Sequence, residues 1–242
     1  MGLSVAARSM TEQPRRRFPV GHIPSVGSDV VLTGEVAHHL RDVLRLGEGD
    51  AIRLFDGYGR EVIAVLASVR PNEVLAHVEA EARTHTDVDL ELIIGLPKGP
   101  AMDALVRMVT EVGVSSIRPV LADRSIARPE KADRWQRIAA SAAQQCGRAD
   151  IPTIHEPATL TRVLQDRGQR PLYLADAGAP GASAIVAPFS VAVGPEGGWT
   201  RAERDVFAHA NAKPIGLGPW ILRTDTAAVS ALIAMRALLS PG

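Results

Sequence analysis

Two stretches decide the fold: VAVGPEGGWT, Val191–Thr200, and IGLGPWILRTDTAA, Ile215–Ala228. Each is a short apolar run that ends in a glycine turn and then opens a segment with helical character. The turns are Gly194-Pro195-Glu196-Gly197-Gly198 and Gly216-Leu217-Gly218-Pro219. In an open α/β sheet, ligands bind at the carboxyl ends of the strands. Two such turns side by side wall one pocket with backbone, and glycine lets that backbone come close because it lacks a Cβ and tolerates positive φ.

The first turn is not a phosphate loop. No Gly-Lys-Ser/Thr follows it, and it is not Gly-x-Gly-x-x-Gly. No lysine or arginine sits inside it, and Glu196 would repel an anion. The carboxylate suits a cationic or hydroxyl-bearing ligand. It equally suits a tight turn leading into a helix, where the dipole favours negative charge.

Outward from these turns, strands alternate with helices. Leu90–Leu96 reads as a strand, Ala101–Val112 as a helix with Pro100 at its first position and Gly113 at its stop. Ser116–Leu121 is a strand, Lys131–Cys146 a helix, Leu160–Gln165 a short helix, and Leu172–Leu174 and Ser190–Val193 are strands. Thr200-x-x-Glu203 is a capping-box pattern that starts a helix at Ala202. Pro214–Leu217 is a strand, and Thr224 is placed to cap a last helix over Asp225–Leu239. This alternation predicts a parallel sheet with helices on both faces.

The first eighty residues differ. Asp29–Leu32, Ala51–Phe55, Glu61–Val69 and Val74–Val78 read as strands, with Asp56-Gly57-Tyr58-Gly59 as a hairpin turn. Glu35–Leu46 reads as one amphipathic helix. The polar Glu79–Asp89 marks a boundary. The expected division is a leader over 1–17, a small β module over 18–80 and an α/β domain over 81–242.

The 242-residue chain is 46% apolar and 22% charged, with a formal net charge of zero. Real cores are available, and any nucleic-acid contact must come from a local patch. Arginine carries nearly all the positive charge, the lysines being Lys98, Lys131 and Lys213. One cysteine, Cys146, excludes an internal disulfide and favours a reducing, cytoplasmic setting. It reads as a buried small residue. No apolar run approaches the roughly 20 residues of a membrane helix, and residues 1–17 lack the apolar core of a secretory signal. Arg15–Arg17 reads as a solvated tail or an RNA-touching patch. His38 and His39 have no cysteine or carboxylate set beside them, so no metal site is expected. Arg41 and Arg45, four apart, share a helix face that is either a phosphate-contacting edge or a solvated one.

The two glycine turns, with Leu217-Gly218-x-x-Ile221-Leu222-Arg223-Thr224-x-Thr226-Ala227, resemble the last two motifs of the SPOUT methyltransferases, and most closely the RsmE-type family. Leu96-Pro97-Lys98-Gly99 through Gly113, with Arg124-Ser125, resembles the family's first segment. Ala142–Arg148 resembles its Gln-Ser-Gly-Arg-type helix end, and His39-Leu40, Val43–Arg45, Gly49-Asp50 and Phe55–Gly57 resemble its PUA-like module. The chain departs at Trp220, where the family usually has arginine, and at Asp225, where it usually has glutamate. Ser141 and Gln144 also stand where acids are usual.

The resemblance implies an α/β SPOUT domain with a parallel sheet and a deep trefoil knot, behind a small PUA-like β-barrel domain. It implies S-adenosylmethionine as methyl donor, held by Leu174, Ala175, Gly194, Pro195, Glu196, Gly197, Gly198, Leu217, Gly218, Ile221, Leu222, Arg223 and Thr226. It implies methylation of N3 of a uridine in 16S ribosomal RNA of the small subunit, by a homodimer. N3 must lose its proton, and charge then spreads to O2 and O4. Arg223 suits stabilisation of that charge; Asp225 or Glu196 suits the base, or each serves only its helix start or turn. Arg45, Lys98, Arg124 and Arg148 fall at motif positions suited to RNA. The rival readings are a ribose 2′-O-methyltransferase of the same superfamily acting on tRNA or 23S RNA, a non-catalytic RNA-binding protein, and an unrelated nucleotide-binding enzyme.

Overall fold

A computed structural model describes residues 14, 16–82, 88–97, 101–125, 132–181 and 184–239. The chain forms two compact units, the first holding residues up to His85 together with Gly147–Asp150, the second holding the rest. Arg15, Lys98, Lys131 and most of the expected leader lie outside the described residues.

In the first unit the strands are β1 (Arg17–Pro19), β2 (Asp29–Thr33), β3 (Ala51–Phe55), β4 (Glu61–Val69) and β5 (Glu73–Glu81), in the order β1-β3-β4-β5-β2. β1 runs parallel to β3, and the other pairs are antiparallel. Alternate residues face one core: Ile52 and Leu54, Val62, Ala64 and Leu66, Val74, Ala76 and Val78. Register shifts near Ile63 and Leu66 mark bulges between β4 and β5, which increase the local twist and curl the sheet. Arg17 is no part of a solvated tail. It lies in β1, 8% exposed, with its Nε 2.5 Å from the buried Glu61 and its guanidinium over the Phe55 ring.

The expected helix over Glu35–Leu46 is corrected. α1 covers Gly34–His38 and widens at once into a π-helix over His39–Val43. Leu44 N–H then reaches back to the His39 carbonyl, Leu46 N–H reaches Leu40, and Arg45 turns into the left-handed region at φ 54°. The reason is burial. Leu40 and Leu46 both enter the core, and on a regular helix they would point to different faces. Arg41 and Arg45 therefore do not share a helix face. Arg41 is paired with Asp42, whose carboxyl it holds down to about 2 through their hydrogen bond. Arg45 is exposed with no ion-pair partner among the described residues.

The second unit carries β6 (Leu90–Gly95), α2 (Ala101–Glu111), β7 (Ser116–Val120), α3 (Ala132–Cys146), β8 (Thr153–Ile154), α4 (Leu160–Asp166), β9 (Leu172–Ala175), β10 (Phe189–Val193), α5 (Arg201–His209), β11 (Lys213–Ile215) and α6 (Thr224–Ala237). Its sheet is parallel throughout in the order β11-β9-β10-β6-β7-β8. The central strands LELIIG and FSVAV are buried at every position, as a sheet covered on both faces requires. Leu92, Ile94, Val191 and Val193 pack toward α2, α3 and α6. Ile93 and Ala192 pack toward α4 and α5. Cys146, expected to be buried, is exposed at the end of α3, because the apolar face of that helix runs through Trp135, Ala139, Ala142 and Ala143.

One charge sits inside this sheet. Glu91, 1% exposed, accepts from Arg118 Nε at 2.5 Å, Ser190 Oγ at 2.7 Å and Ser116 Oγ at 3.2 Å. Arg118→Met strands that carboxylate, and breaking a buried pair costs about 3–5 kcal/mol. Denaturant unfolding is expected to show that loss, and the double variant Arg118→Met with Glu91→Gln is expected to recover part of it. Equal loss in both variants would mean that the arginine stem, not the charge, carries the effect.

From β11 the chain returns past the carboxyl ends of β9 and β10 to lay α6 against β6 and β10. The β9–β10 connection carries no helix among the described residues, and it closes on this return where Gly216 N–H donates to the Pro180 carbonyl at 2.8 Å. The SPOUT resemblance implies a deep trefoil knot along this course.

Candidate active site

A cleft of about 540 Å³ opens at the carboxyl ends of β9, β10 and β11. Its walls are the loop after β9 at Ala175–Ala177, the turn after β10 at Gly194–Trp199, the loop after β11 at Leu217–Leu222, and Arg223, Thr224 and Ala227 at the start of α6. The glycine turn closes with Gly198 N–H on the Pro195 carbonyl at 2.8 Å, and Gly198 itself needs φ +68°. Gly95, ending β6, lies so close that a Cβ there would stand 2.7 Å from Pro195 N.

The turn is pinned from three sides. Thr224 Oγ1 donates to the Gly194 carbonyl at 3.1 Å. Arg124 Nη1 donates to the Gly197 carbonyl at 2.7 Å. Glu203 completes a capping box with Thr200 as expected, its Oε2 accepting from Thr200 N–H at 2.7 Å. Its second oxygen accepts from Asp123 N–H at 3.0 Å, which ties the loop after β7 to α5. Thr224 is not the cap of α6. The helix begins at Thr224 itself with Arg223 as N-cap, and the buried hydroxyl serves Gly194 instead. The hydroxyl donates to a tertiary carbonyl rather than accepting from a local helix N–H.

Of the residues singled out for the donor, Ala175, Gly194 through Gly198, Leu217, Gly218, Ile221, Leu222 and Arg223 line the cleft. Leu174 does not. The strand pleat turns it into the core cluster that holds Leu172 and Phe207. Thr226 is exposed and also lies off the cleft, its backbone N–H donating to Asp225 Oδ1 at 2.8 Å. Arg223 is 84% exposed, with Nε 3.9 Å from Asp225 Oδ1. Glu196 lines the cleft, whereas Asp225 does not.

The intended RNA contacts divide. Arg124 lies exposed beside the turn. Arg148 is only 10% exposed in its side chain and is paired with Asp150, so it supports the first unit rather than presenting a free charge. Arg45 belongs to the first unit. Its left-handed backbone, following the helix end, is a conformation glycine adopts without strain, so a binding role would explain why a bulky cation stands there. Arg45→Gly is expected to raise stability by about 0.5–1 kcal/mol and to weaken RNA binding. Thermal unfolding and a gel-shift titration check the two signs, and unchanged RNA affinity would remove Arg45 from the contact surface.

Two contributors, Arg204 and Trp199, were not legible beforehand. Arg204 Nη1 pairs with Asp176 Oδ2 at 2.7 Å, both in the cleft wall. Trp199, 5% exposed, lines the same wall, and its indole nitrogen is buried with no hydrogen-bond partner among the described residues. The capping spacing announced Glu203, but no local spacing pointed to Arg204 or Trp199. Among the described residues no group of three or more His, Cys, Asp or Glu could hold a metal ion, and no helix is long and apolar enough to cross a membrane.

The cleft fits a methyl-donor nucleoside. Leu217, Ile221 and Leu222 offer apolar cover for a purine. The indole N–H of Trp199 is a donor in need of an acceptor. Beside Gly218, at φ +124°, a Cβ would meet nothing within 4 Å, so backbone faces open space.

Comparison with known proteins agrees with this geometry. A family model described as an RNA methyltransferase domain matches residues 84–236, and one described as an RNA methyltransferase PUA domain matches residues 32–79. Ribosomal RNA small subunit methyltransferase E of Synechocystis is 32% identical over 232 residues, spanning 88% of this chain and 75% of the relative. That of Bacillus subtilis is 32% identical over 225 residues, spanning 84% and 88%. The crystal structure of ribosomal RNA small subunit methyltransferase E from Neisseria gonorrhoeae bound to S-adenosyl methionine has a TM-score of 0.81 at 31% identity, over 94% of this chain and 98% of that one.

Proposed function

The chain belongs to the RsmE-type RNA methyltransferases, and on that footing we propose that it transfers a methyl group from S-adenosylmethionine to N3 of a uridine in 16S ribosomal RNA. The observation that carries the reading is the single cleft built from three strand-end loops, with an exposed arginine, Arg223, at its wall.

When bound, the donor supplies a methyl group on a sulfonium, which leaves readily in an in-line displacement. The chain's part is to hold donor and acceptor in line, the term that carries much of such an acceleration. The glycine turn, pinned by Thr224, Arg124 and Glu203, is rigid enough for that. The Arg223 guanidinium presents paired donors to the O2 or O4 oxygens, where negative charge collects as N3 loses its proton. Glu196, the carboxylate in the cleft wall, takes that proton. Asp225 is committed to the first turn of α6. The resemblance also implies a homodimer active in the cytoplasm, and α6 leaves Ile233 51% exposed for a second copy to cover.

The test is methyl transfer from labelled S-adenosylmethionine to small ribosomal subunits lacking the modification. Naked 16S RNA, 23S RNA and tRNA run in parallel, and the product nucleoside is identified by mass spectrometry. N3-methyluridine in 16S RNA is the expected product. A 2′-O-methylated product would move the protein to ribose chemistry, and donor binding without any product would make it a non-catalytic RNA-binding protein.

A further inference from the structure

Trp220 and Ile221 stand out on the cleft wall because they are apolar and not covered. Trp220 is 79% exposed and Ile221 90%, whereas the chain's other tryptophans, Trp135 and Trp199, are 6% and 5% exposed. Two adjacent large apolar side chains left in water beside a cleft form a patch of the kind that marks a docking place. The backbone explains how it is presented. Gly218 turns the chain at φ +124° with open space beside it, and Pro219 fixes the next φ. The turn thus sets the indole outward into water, next to the cleft. Three residues on, the Arg223 side chain is 84% exposed.

We propose that Trp220 is a stacking platform for the unpaired pyrimidine base delivered to the cleft. The inference rests on the base-methylation reading above. A base whose ring nitrogen is to be methylated must leave its stack, and it then needs a new planar neighbour. An indole face supplies one for any base, so it positions without reading sequence. Arg223, close by in the chain, supplies the charge that the indole lacks. Trp220 is thus a positioning residue for the acceptor, and the donor occupies the deeper part of the same cleft.

Fluorescence tests this without requiring turnover. Octauridylate is titrated into the full chain, and an abasic octamer of equal charge serves as control. Quenching by octauridylate, absent with the abasic strand and absent in Trp220→Ala, is expected, because the two buried tryptophans do not meet the base. Affinity for octauridylate falls about tenfold or more in Trp220→Ala, and Trp220→Phe keeps most of it. The donor Kd, read by calorimetry, and the sedimentation coefficient stay as in the unmodified chain. Unchanged octauridylate affinity in Trp220→Ala overturns the proposal. A matching loss of donor affinity would place Trp220 in the donor pocket, and a shift to a slower-sedimenting species would place it between two copies; either overturns it as well. Methylation of small subunits separates the two readings. N3-methyluridine with an unchanged KM in Trp220→Ala sinks the platform alone, whereas absence of N3-methyluridine with the unmodified chain sinks the reading beneath it.

Discussion

Arg223→Ala is expected to lower the single-turnover rate of methyl transfer by roughly two to three orders of magnitude, the usual loss when one donor to a developing oxyanion is removed. Its Nε stands 3.9 Å from Asp225 Oδ1, too far for a hydrogen bond. The side chain is 84% exposed, so its donors are not committed within the chain. Removing it leaves no cavity and strands no buried partner, and the fold should be indifferent. Donor affinity should fall far less than the rate, because the side chain reaches outward and the loop backbone remains. Arg223→Lys restores charge without the planar fork and should recover only part of the rate. A pH profile discriminates further. If the guanidinium stabilises the N3 anion, raising the pH ionises N3 without help, and the gap between Arg223→Ala and the unmodified chain narrows. A constant gap across pH, or a loss wholly in KM for the ribosomal subunit, would reassign Arg223 to RNA docking.

Gly216→Ala is expected to be strongly disruptive to the second unit. A Cβ there would lie 1.9 Å from the Ala179 carbonyl oxygen and 2.9 Å from its carbon. Both obstacles are backbone, so no rotamer relieves them. The Gly216 N–H also donates to the Pro180 carbonyl at 2.8 Å, and the neighbouring Asp176 N–H donates to Ile215 at 2.9 Å. Making room means parting the closely packed β9 and β11 loops, both of which contribute to the cleft wall. Overpacking costs typically about 1–3 kcal/mol and more where backbone must move, and this site belongs to the second kind. Donor affinity should drop by more than tenfold together with a lower Tm. Gly181→Ala, where a Cβ meets nothing within 4 Å, is the matched control. A Gly216→Ala protein with unchanged Tm and donor affinity would mean that these loops part freely, contrary to their close backbone packing.

Much of the second unit was legible because its signals are local and repeat. LELIIG and FSVAV are apolar at nearly every position, as a strand covered on both faces must be. Thr200 and Glu203 sit three apart, which is the whole requirement for their reciprocal cap. The glycine turns are legible because only glycine reaches the backbone angles and close approaches they need. Family resemblance then supplied donor, knot and substrate class, which no periodicity contains. Misreadings came where a distant partner outbid a local rule. Thr224 had the spacing of a cap and instead bonds Gly194. Leu174 adjoins the cleft in sequence, but the pleat turns it into the core. Glu35–Leu46 had helical spacing, and the shared need to bury Leu40 and Leu46 rewound it through a π turn.

By itself, then, the sequence determined the alternation of strands and helices, the two glycine turns, the α5 cap and the family, because each depends on residues within a few positions of one another or on motifs read in order. Only the tertiary structure decided that Arg118 neutralises Glu91, that Asp176 meets Arg204, that Arg124 holds Gly197, and that Trp220 stays in water while Trp199 does not. Those outcomes rest on which surfaces pack together and on partners 27 to 73 residues apart, and burial at that range leaves no mark in the local pattern of a chain.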